Sequence, residues 1–126
     1  MNKGEIYKLK REFKIKYSPE CYNHPFIYWK DKYADYTGIM ITTSSNPKFR
    51  NIELKEEHFK SGFKIGFGKS EKKSKSYIAP LYLLKDVKYE HLEKVGELSD
   101  IGKTFVTSLV GKLRYTDWKE YMKLNS

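Results

Sequence analysis

The sequence predicts a mainly β protein with a helix near its C-terminus. Short runs of β-branched and aromatic residues recur between residues 5 and 87, separated by turn-forming residues. Aromatic residues make up 16% of the chain, which suits the half-buried surfaces of strands. One amphipathic stripe follows residue 100. We therefore expect a strongly curved antiparallel sheet of five or six strands with this helix packed against it. A length of 126 residues predicts one domain, 1–126.

Two short strands are predicted in the N-terminal segment. Residues 5–9 form a compact apolar run. Residues 13–17 then alternate, with apolar side chains on either side of Lys14 and Lys16. A period of two indicates a strand with one packed face and one basic face in solvent.

The central prediction is a hairpin between His24 and Ser45. Apolar runs at 26–29 and 38–41 flank a polar break, which favours two antiparallel strands folding about Ala34. This register places three pairs of residues opposite each other: Trp29 with Ile39, Phe26 with Thr42, and His24 with Ser44. An imidazole then lies beside a run of hydroxyl groups at the open end of the hairpin, which makes this end the candidate site.

The later strands are shorter or interrupted. Residues 51–54 alternate as a short strand, and residues 77–84 form a second strong apolar run. Pro80 has no backbone N–H to donate, so it predicts an edge or a bulge within that run. Residues 61–76 are rich in lysine and glycine and predict a flexible basic loop. Residues 89–95 suit a helical turn or a short irregular link.

The C-terminal helix is predicted from its cap and its apolar face. Ser99 or Asp100 supplies a side-chain oxygen for the unpaired amides of the first turn. Apolar residues then recur at intervals of three and four, which defines one face of a helix spanning 101–113. This face consists of Ile101, Phe105, Leu109 and Leu113, with Val106 and Val110 beside them. Residues 116–126 are expected to form a short final helix or a tail.

The net charge of +9 comes from two segments. Residues 1–17 carry six basic side chains against two acidic ones, and residues 60–76 carry six lysines against one glutamate. The remainder of the chain is neutral. Two basic segments on a neutral body indicate a binding surface for a polyanion, or else a lysine-rich surface that serves solubility.

Other features bear on location and cofactors. The single cysteine, Cys21, excludes an internal disulfide, and the N-terminus lacks the apolar core of a signal peptide. No apolar run reaches membrane-spanning length. These features predict a cytoplasmic protein. The three histidines have no metal-ligand spacing, so no metal or cofactor is expected, and His58 is interpreted as a surface or packing residue.

Four stretches, taken in order, resemble the MazF/PemK family of toxin endoribonucleases. They are GEIY at 4–7, HPFIYWKD at 24–31, GIMITTSS at 38–45, and the segment SYIAPLYLLKDVKYEHLEKVGELSDIGKTFVTSLVGKL at 76–113. The likeness covers nearly the whole domain and depends on the combination, since none of these motifs is diagnostic alone. It implies a small SH3-like β-barrel with a C-terminal amphipathic helix.

The resemblance also implies an activity. Members of this family cleave single-stranded RNA without a metal, through attack of a 2′-hydroxyl on the adjacent phosphate. By position, the basic residue of the proline motif is His24, where the family usually has arginine, and the hydroxyl residue is Ser44 with Thr43 beside it. An imidazole can act as a general acid or base near neutral pH. The family's homodimer and an acidic antitoxin tail on the active-site face are the implied protein partners.

Further residues are expected to assist RNA binding. With histidine in the arginine position, nearby cations must stabilise the charge that develops on the phosphate. The candidates are Lys14, Lys16, Lys30 and Arg50. Tyr28 and Trp29 are adjacent on a strand and therefore face opposite sides, so that one of them, Trp29 in our assignment, is available to stack a base.

Three functions remain open at the level of sequence. The first is the metal-independent endoribonuclease of toxin–antitoxin type. The second is a nucleic-acid-binding barrel without catalytic activity. The third is a protein-interaction module whose groove holds a partner's peptide, and it is compatible with the first.

Overall fold

The computed structural model describes residues 2–16, 24–32, 35–42, 51–60, 76–79, 81–85, 88–112 and 114–116. Its eight strands are β1 (Glu5–Leu9), β2 (Phe26–Lys32), β3 (Asp35–Thr42), β4 (Ile52–Leu54), β5 (Ser76–Ile78), β6 (Leu81–Lys85), β7 (Leu92–Glu97) and β8 (Arg114–Thr116). One α-helix, α1 (Asp100–Leu109), lies between β7 and β8. Short 3₁₀ helices occupy Arg11–Lys16, Glu56–His58, Tyr89–His91 and Val110–Lys112.

All eight strands belong to one sheet. Six follow the order β4-β5-β3-β2-β1-β7 with antiparallel neighbours, while β6 pairs with β3 and, in parallel, with β8. The prediction of a mainly β protein with a C-terminal helix is therefore confirmed. The sheet has more strands than the five or six expected. The parallel pairing of β6 with β8 is possible because the segment between them, which contains β7 and α1, is long enough to return the chain to the end of the sheet where β6 begins.

The predicted hairpin is confirmed, but its register was wrong by two residues. Ile39 pairs with Ile27, where the sequence had predicted Trp29 as its partner. Phe26 pairs with Met40, where the sequence had predicted Thr42. The strands run to Lys32 and resume at Asp35, so the turn is centred half a residue before Ala34. A bulge at Trp29 shifts the pairing of the residues before it by one further residue. Before the bulge the error is two residues, an even number, so Phe26 and Ile27 keep their expected faces, whereas at 30–32 the error is one residue.

The sheet buries a different cluster on each face. The aliphatic core lies on the helix side and consists of Ile6, Ile27, Trp29, Ile39, Ile41, Leu54, Ile78, Leu98 and Val106. The other face, here called the aromatic face, carries Tyr7, Leu9, Phe26, Tyr28, Tyr36 and Leu92, with Phe13 packed against them. Tyr28 and Trp29 thus face opposite sides as predicted, and both are buried.

Helix α1 begins at the predicted cap. The Ser99 hydroxyl accepts a hydrogen bond from the Gly102 amide at 3.0 Å and donates one to the Glu57 carbonyl at 2.6 Å. Gly102 and Val106 are the buried residues of the helix, whereas Ile101 is 58% exposed. The assignment of Ile101 to the apolar face was therefore wrong, because the helix contacts the body through its Gly102 side. Leu113 lies outside the described residues.

Two local predictions were overridden by long-range contacts. Residues 11–16 form a 3₁₀ helix rather than a strand, since β1 already has a neighbour on each side, and Phe13 packs on the aromatic face. The helical turn predicted for 89–95 covers only Tyr89–His91, and the remainder belongs to β7, which pairs with β1. In both cases, sheet pairing outweighs local periodicity.

The remaining predictions for single elements have mixed outcomes. A strand at 52–54 is confirmed, and the apolar run near Pro80 is divided into β5 and β6, as the proline predicted. Thr116 ends β8 rather than beginning a helix. The basic loop, except Ser76 in β5, and residues 117–126 lie outside the described residues.

The two ends of the strand order are linked by backbone. A bridge joins Phe59, which follows β4, to Leu98, which follows β7. On either side of it, Lys60 N donates to Glu97 O at 2.9 Å and Ser99 N donates to His58 O at 3.0 Å. The segment after β4 is thereby fixed to the edge strand β7 at the start of helix α1. Within the described ranges, no helix is long and apolar enough to cross a membrane.

Candidate active site

The open end of the β2–β3 hairpin brings an imidazole and a hydroxyl together. Ile41 N donates a hydrogen bond to Pro25 O at 2.9 Å, which extends the ladder beyond the last paired residue of β2. One residue further, continuation of the same register would place His24 opposite Thr42. This is a non-hydrogen-bonded position, where opposite Cβ atoms are about 4.5–5.5 Å apart. The predicted hydroxyl partners Ser44 and Thr43 lie outside the described residues, and Thr42 is the hydroxyl that the observed register brings to His24.

His24 and Thr42 lie on the aromatic face, because they alternate with Phe26 and Met40. His24 is partly exposed, while Thr42 is buried. The Phe26 ring lies 5.8 Å from Tyr36 and 6.3 Å from Tyr7, centroid to centroid. This packing forms a firm apolar floor two residues along the chain from His24, which is itself partly exposed.

Glycine at position 38 makes that floor possible. A Cβ atom at Gly38 would lie 2.5 Å from Cδ2 of Phe26, well inside the contact distance. Because β3 has glycine at position 38, it leaves space for the Phe26 ring of β2. No sequence pattern that we considered indicated this packing requirement.

The other two histidines are packing residues. His58 accepts a hydrogen bond from Lys55 N on its Nδ1 at 2.9 Å and stacks on Phe105 with centroids 4.4 Å apart. His91 is buried and stacks on Phe13 at 4.0 Å. The interpretation of His58 as a packing residue is thus confirmed. His24 is the one histidine of the chain whose side chain is not buried.

A charged network lies on the same face, one strand away from β2. The Tyr7 hydroxyl donates to Oε1 of Glu5 at 2.8 Å, and Asn2 N donates to the same oxygen. Nζ of Lys94 lies 2.8 Å from Oε2 of Glu5 and 3.6 Å from Oε2 of Glu97. Lys60 completes the network at 3.3 Å from Glu97. Sequence reasoning missed it, because its members come from β1, β7 and the segment after β4.

The network fixes the charge of each member. Burial raises the pKa of the Glu5 carboxyl, but the hydrogen bonds from Lys94, the Asn2 amide and Tyr7 outweigh burial and lower that pKa overall. Burial, together with the bond to Glu5, raises the pKa of the Tyr7 phenol far above its ordinary value. The bond to Glu5 also raises the pKa of Lys94. Burial of Glu97 is likewise outweighed by Lys60 and Lys94, so its pKa is lowered.

Replacing Glu5 with glutamine is expected to lower the free energy of unfolding at neutral pH by about 1.5–3 kcal/mol. The pKa of Glu5 is lower in the folded state than its ordinary value of 4.5. Its contribution is therefore present above that ordinary value and is lost as the pH falls through the folded-state pKa. Urea unfolding at decreasing pH should show wild type and variant converging.

The control for this prediction is Glu93→Gln. Glu93 pairs with Lys8 at 3.5 Å, but both side chains are nearly half exposed, so the pair contributes about 1 kcal/mol or less. Equal destabilisation by the two variants, or a Glu5→Gln deficit that persists in acid, would contradict a stabilising role for the buried network.

The predicted RNA-binding residues have different positions relative to His24. Lys30 is exposed but lies six residues along β2, or about 20 Å away, so it cannot assist a phosphate bound at His24. Lys14 and Lys16 belong to the 3₁₀ helix that begins two residues after Leu9, and Lys16 is exposed. Arg50 lies outside the described residues.

Trp29 is unavailable for base stacking in this structure. Its side chain is 3% exposed within the aliphatic core, and Nζ of Lys3 lies 5.0 Å from its ring centroid. The bulge keeps it on the helix side of the sheet, opposite to His24. The assignment of Trp29 as a stacking residue is therefore not supported by the geometry.

Fold and site together define a class: a mainly β protein whose aromatic face carries an accessible imidazole beside a hydroxyl. Comparison of the chain with protein-family models, curated proteins and solved structures finds no match. In the part of the chain that the structure describes, no three His, Cys, Asp or Glu side chains are grouped so that they could hold a metal ion.

Proposed function

We propose that this chain is a metal-independent endoribonuclease of toxin–antitoxin type that cleaves single-stranded RNA. The observation that carries the proposal is the register of β2 and β3, which, continued past Phe26 and Pro25, brings His24 opposite Thr42 at one end of the aromatic face. An accessible imidazole beside a hydroxyl group supplies a proton acceptor and a hydrogen-bond donor for a phosphodiester. The net charge of +9 suits a polyanionic substrate.

The proposal includes an SH3-like barrel, a homodimer and an acidic antitoxin tail as a protein partner. The backbone bridge between Phe59 and Leu98 supports the barrel, because it links the two ends of the strand order. An acidic tail is a suitable competitor for a surface that binds RNA phosphates. Cleavage would therefore be controlled by occupancy of the same face.

The reaction requires one proton acceptor and one proton donor. Neutral His24 takes the proton of the 2′-hydroxyl as O2′ forms a bond to the adjacent phosphorus. The bond from phosphorus to O5′ breaks, and the imidazolium returns the proton to O5′. The products are a 2′,3′-cyclic phosphate and a 5′-hydroxyl end. The Thr42 hydroxyl donates to a non-bridging phosphate oxygen, where negative charge develops.

The test is incubation of the full chain with a long single-stranded RNA in the presence of EDTA. We expect fragments that end in 2′,3′-cyclic phosphate and begin with a 5′-hydroxyl. RNA that is 2′-O-methylated throughout is the matched control, since it has the same phosphates but no nucleophile, and it should stay intact. Loss of cleavage on chelation would contradict the mechanism. Binding without cleavage would favour the nucleic-acid-binding barrel.

A further inference from the structure

We propose that Tyr89, with the basic residues beside it, is the base-stacking platform for the single-stranded RNA that reaches His24. This inference rests on the proposed function and names the surface that holds its substrate. Tyr89 is 58% exposed, although it packs on the edge of the aromatic face. It therefore offers what Trp29 cannot, an aromatic ring open to a nucleobase.

The Tyr89 ring packs against Tyr7 of the aromatic face. Its centroid lies 6.0 Å from that of Tyr7, and the two rings meet edge to face at 71°. Tyr7 in turn donates to Glu5 at 2.8 Å, and Glu5 is paired with Lys94 at 2.8 Å. A ring fixed by a buried network loses little conformational entropy when a base stacks on it. Exposure combined with rigidity is what a stacking platform requires.

Exposed cations lie at the two 3₁₀ helices on this edge of the sheet, Tyr89–His91 and Arg11–Lys16. Lys88 precedes Tyr89 directly and is exposed, and Arg11 and Lys16 are exposed on the neighbouring 3₁₀ helix. Lys10, which precedes the 3₁₀ helix Arg11–Lys16, is hydrogen-bonded to the 3₁₀ helix Tyr89–His91. Its backbone N donates to His91 O at 2.8 Å, and its Nζ donates to Glu90 O at 2.9 Å. The carboxylates in these two helices are those of Glu12 and Glu90.

The balance of charge at this surface is positive, with four cations against two carboxylates. Single-stranded nucleic acids are bound by this combination, in which a positive track follows the phosphates and aromatic rings stack the bases. The surface was not apparent in the sequence, because Lys10 and Tyr89 are far apart in the chain and meet only through the β1–β7 pairing.

The platform lies on the same face of the sheet as His24 and is connected to it through the aromatic cluster. Tyr89 contacts Tyr7, whose centroid is 6.3 Å from that of Phe26. Phe26 is two residues from His24, about 7 Å along β2. A base stacked on Tyr89 would hold the RNA strand on the face of the sheet that carries the imidazole. The platform orients the strand and takes no part in proton transfer.

The experiment measures the affinity of the full chain for a short, fluorescein-labelled, 2′-O-methylated single-stranded oligonucleotide, which cannot be cleaved. Tyr89→Ala should raise the Kd by about 5- to 150-fold, the effect of losing one stacked base. Tyr89→Phe keeps the ring and should bind as wild type does. Ile101→Ala is the matched control, because Ile101 is also 58% exposed and lies on helix α1. Thermal unfolding of each variant checks that the fold is retained.

Salt dependence tests the cations separately from the ring. Lys88→Gln and Arg11→Gln should each reduce the slope of log Kd against log salt concentration by about 0.7, while Tyr89→Ala should leave the slope unchanged. Lys55, exposed beside a different 3₁₀ helix, provides the control Lys55→Gln, which should not alter the slope.

The outcomes separate this inference from the proposed function. If wild type binds and Tyr89→Ala binds equally well, the platform is refuted while the endoribonuclease proposal stands. If wild type does not bind the oligonucleotide at low salt, both are refuted. If a polyglutamate peptide loses affinity in Tyr89→Ala and Lys88→Gln while the oligonucleotide does not, the surface belongs to an acidic protein and the inference is overturned.

Discussion

Replacing His24 with alanine is expected to lower the rate of RNA cleavage by about 100- to 10,000-fold, which corresponds to about 3–5 kcal/mol in the activation barrier. The imidazole is the proposed proton acceptor, and alanine removes it. His24 is partly exposed at the end of the sheet, so the aromatic face beneath it should remain packed. Single-turnover cleavage with chelator present, and Kd for the uncleavable oligonucleotide, are the two measurements. The rate should fall while Kd stays near the wild-type value.

Three further variants make the result specific. Thr42→Val preserves the shape of the side chain and removes the hydroxyl, so it should slow cleavage in the same direction. Lys30→Ala changes an exposed cation about 20 Å along the same strand and should cleave as wild type does. His24→Arg restores the residue usual in the family that the sequence resembles, and its activity should exceed that of His24→Ala. Wild-type rates in His24→Ala would remove the proposed catalyst.

The sequence was sufficient for features that depend on neighbouring residues. The apolar run at 5–9 predicted β1, and the two runs around Ala34 predicted the β2–β3 hairpin. Ser99 was identified as a cap because its hydroxyl can reach amides within the first turn, which is a local property. Mainly β character and a C-terminal helix followed from these elements.

Register and long-range pairing were not available from the sequence. The bulge at Trp29 changes the partner of every residue before it, and nothing in the pattern of apolar residues marks that position. Residues 13–17 alternate as a strand does, yet residues 13–16 belong to the 3₁₀ helix Arg11–Lys16, because β1 is already paired on both sides. Such outcomes depend on contacts between distant segments, which local periodicity does not encode.

For the candidate site, too, the sequence was sufficient for local features and insufficient for those that depend on long-range pairing. His24 was identified correctly as an accessible residue at the end of the hairpin, since its position depends on a local turn. The pairing of His24 with Ser44 followed from the predicted register, which the observed strand pairing shifts by two residues, and Ser44 itself lies outside the described residues. Trp29 was preferred to Tyr28 for stacking, yet both are buried, because a sequence does not reveal that both sides of the sheet are covered there. The Glu5–Lys94 pair joins residues that only the β1–β7 pairing brings together.

Replacing Gly102 with alanine is expected to destabilise the fold by about 3 kcal/mol. A Cβ atom at this position would lie 2.0 Å from the backbone oxygen of His58 and 2.9 Å from its carbonyl carbon. Alanine favours a helix over glycine by about 1 kcal/mol, but this gain is smaller than the cost of such a clash. Because the opposing atoms belong to the backbone, the whole helix must move away rather than one side chain.

Movement of the helix would break the junction that closes the aliphatic core. The bond from Ser99 N to His58 O at 3.0 Å and the stacking of His58 on Phe105 at 4.4 Å both depend on this close approach. Urea unfolding should therefore give a lower midpoint for Gly102→Ala. Gly111→Ala is the control, since a Cβ atom there meets nothing within 4 Å, and its midpoint should equal or exceed that of wild type. Equal midpoints for the two variants would mean that helix α1 can shift without cost, and that the contact at His58 does not anchor it to the sheet.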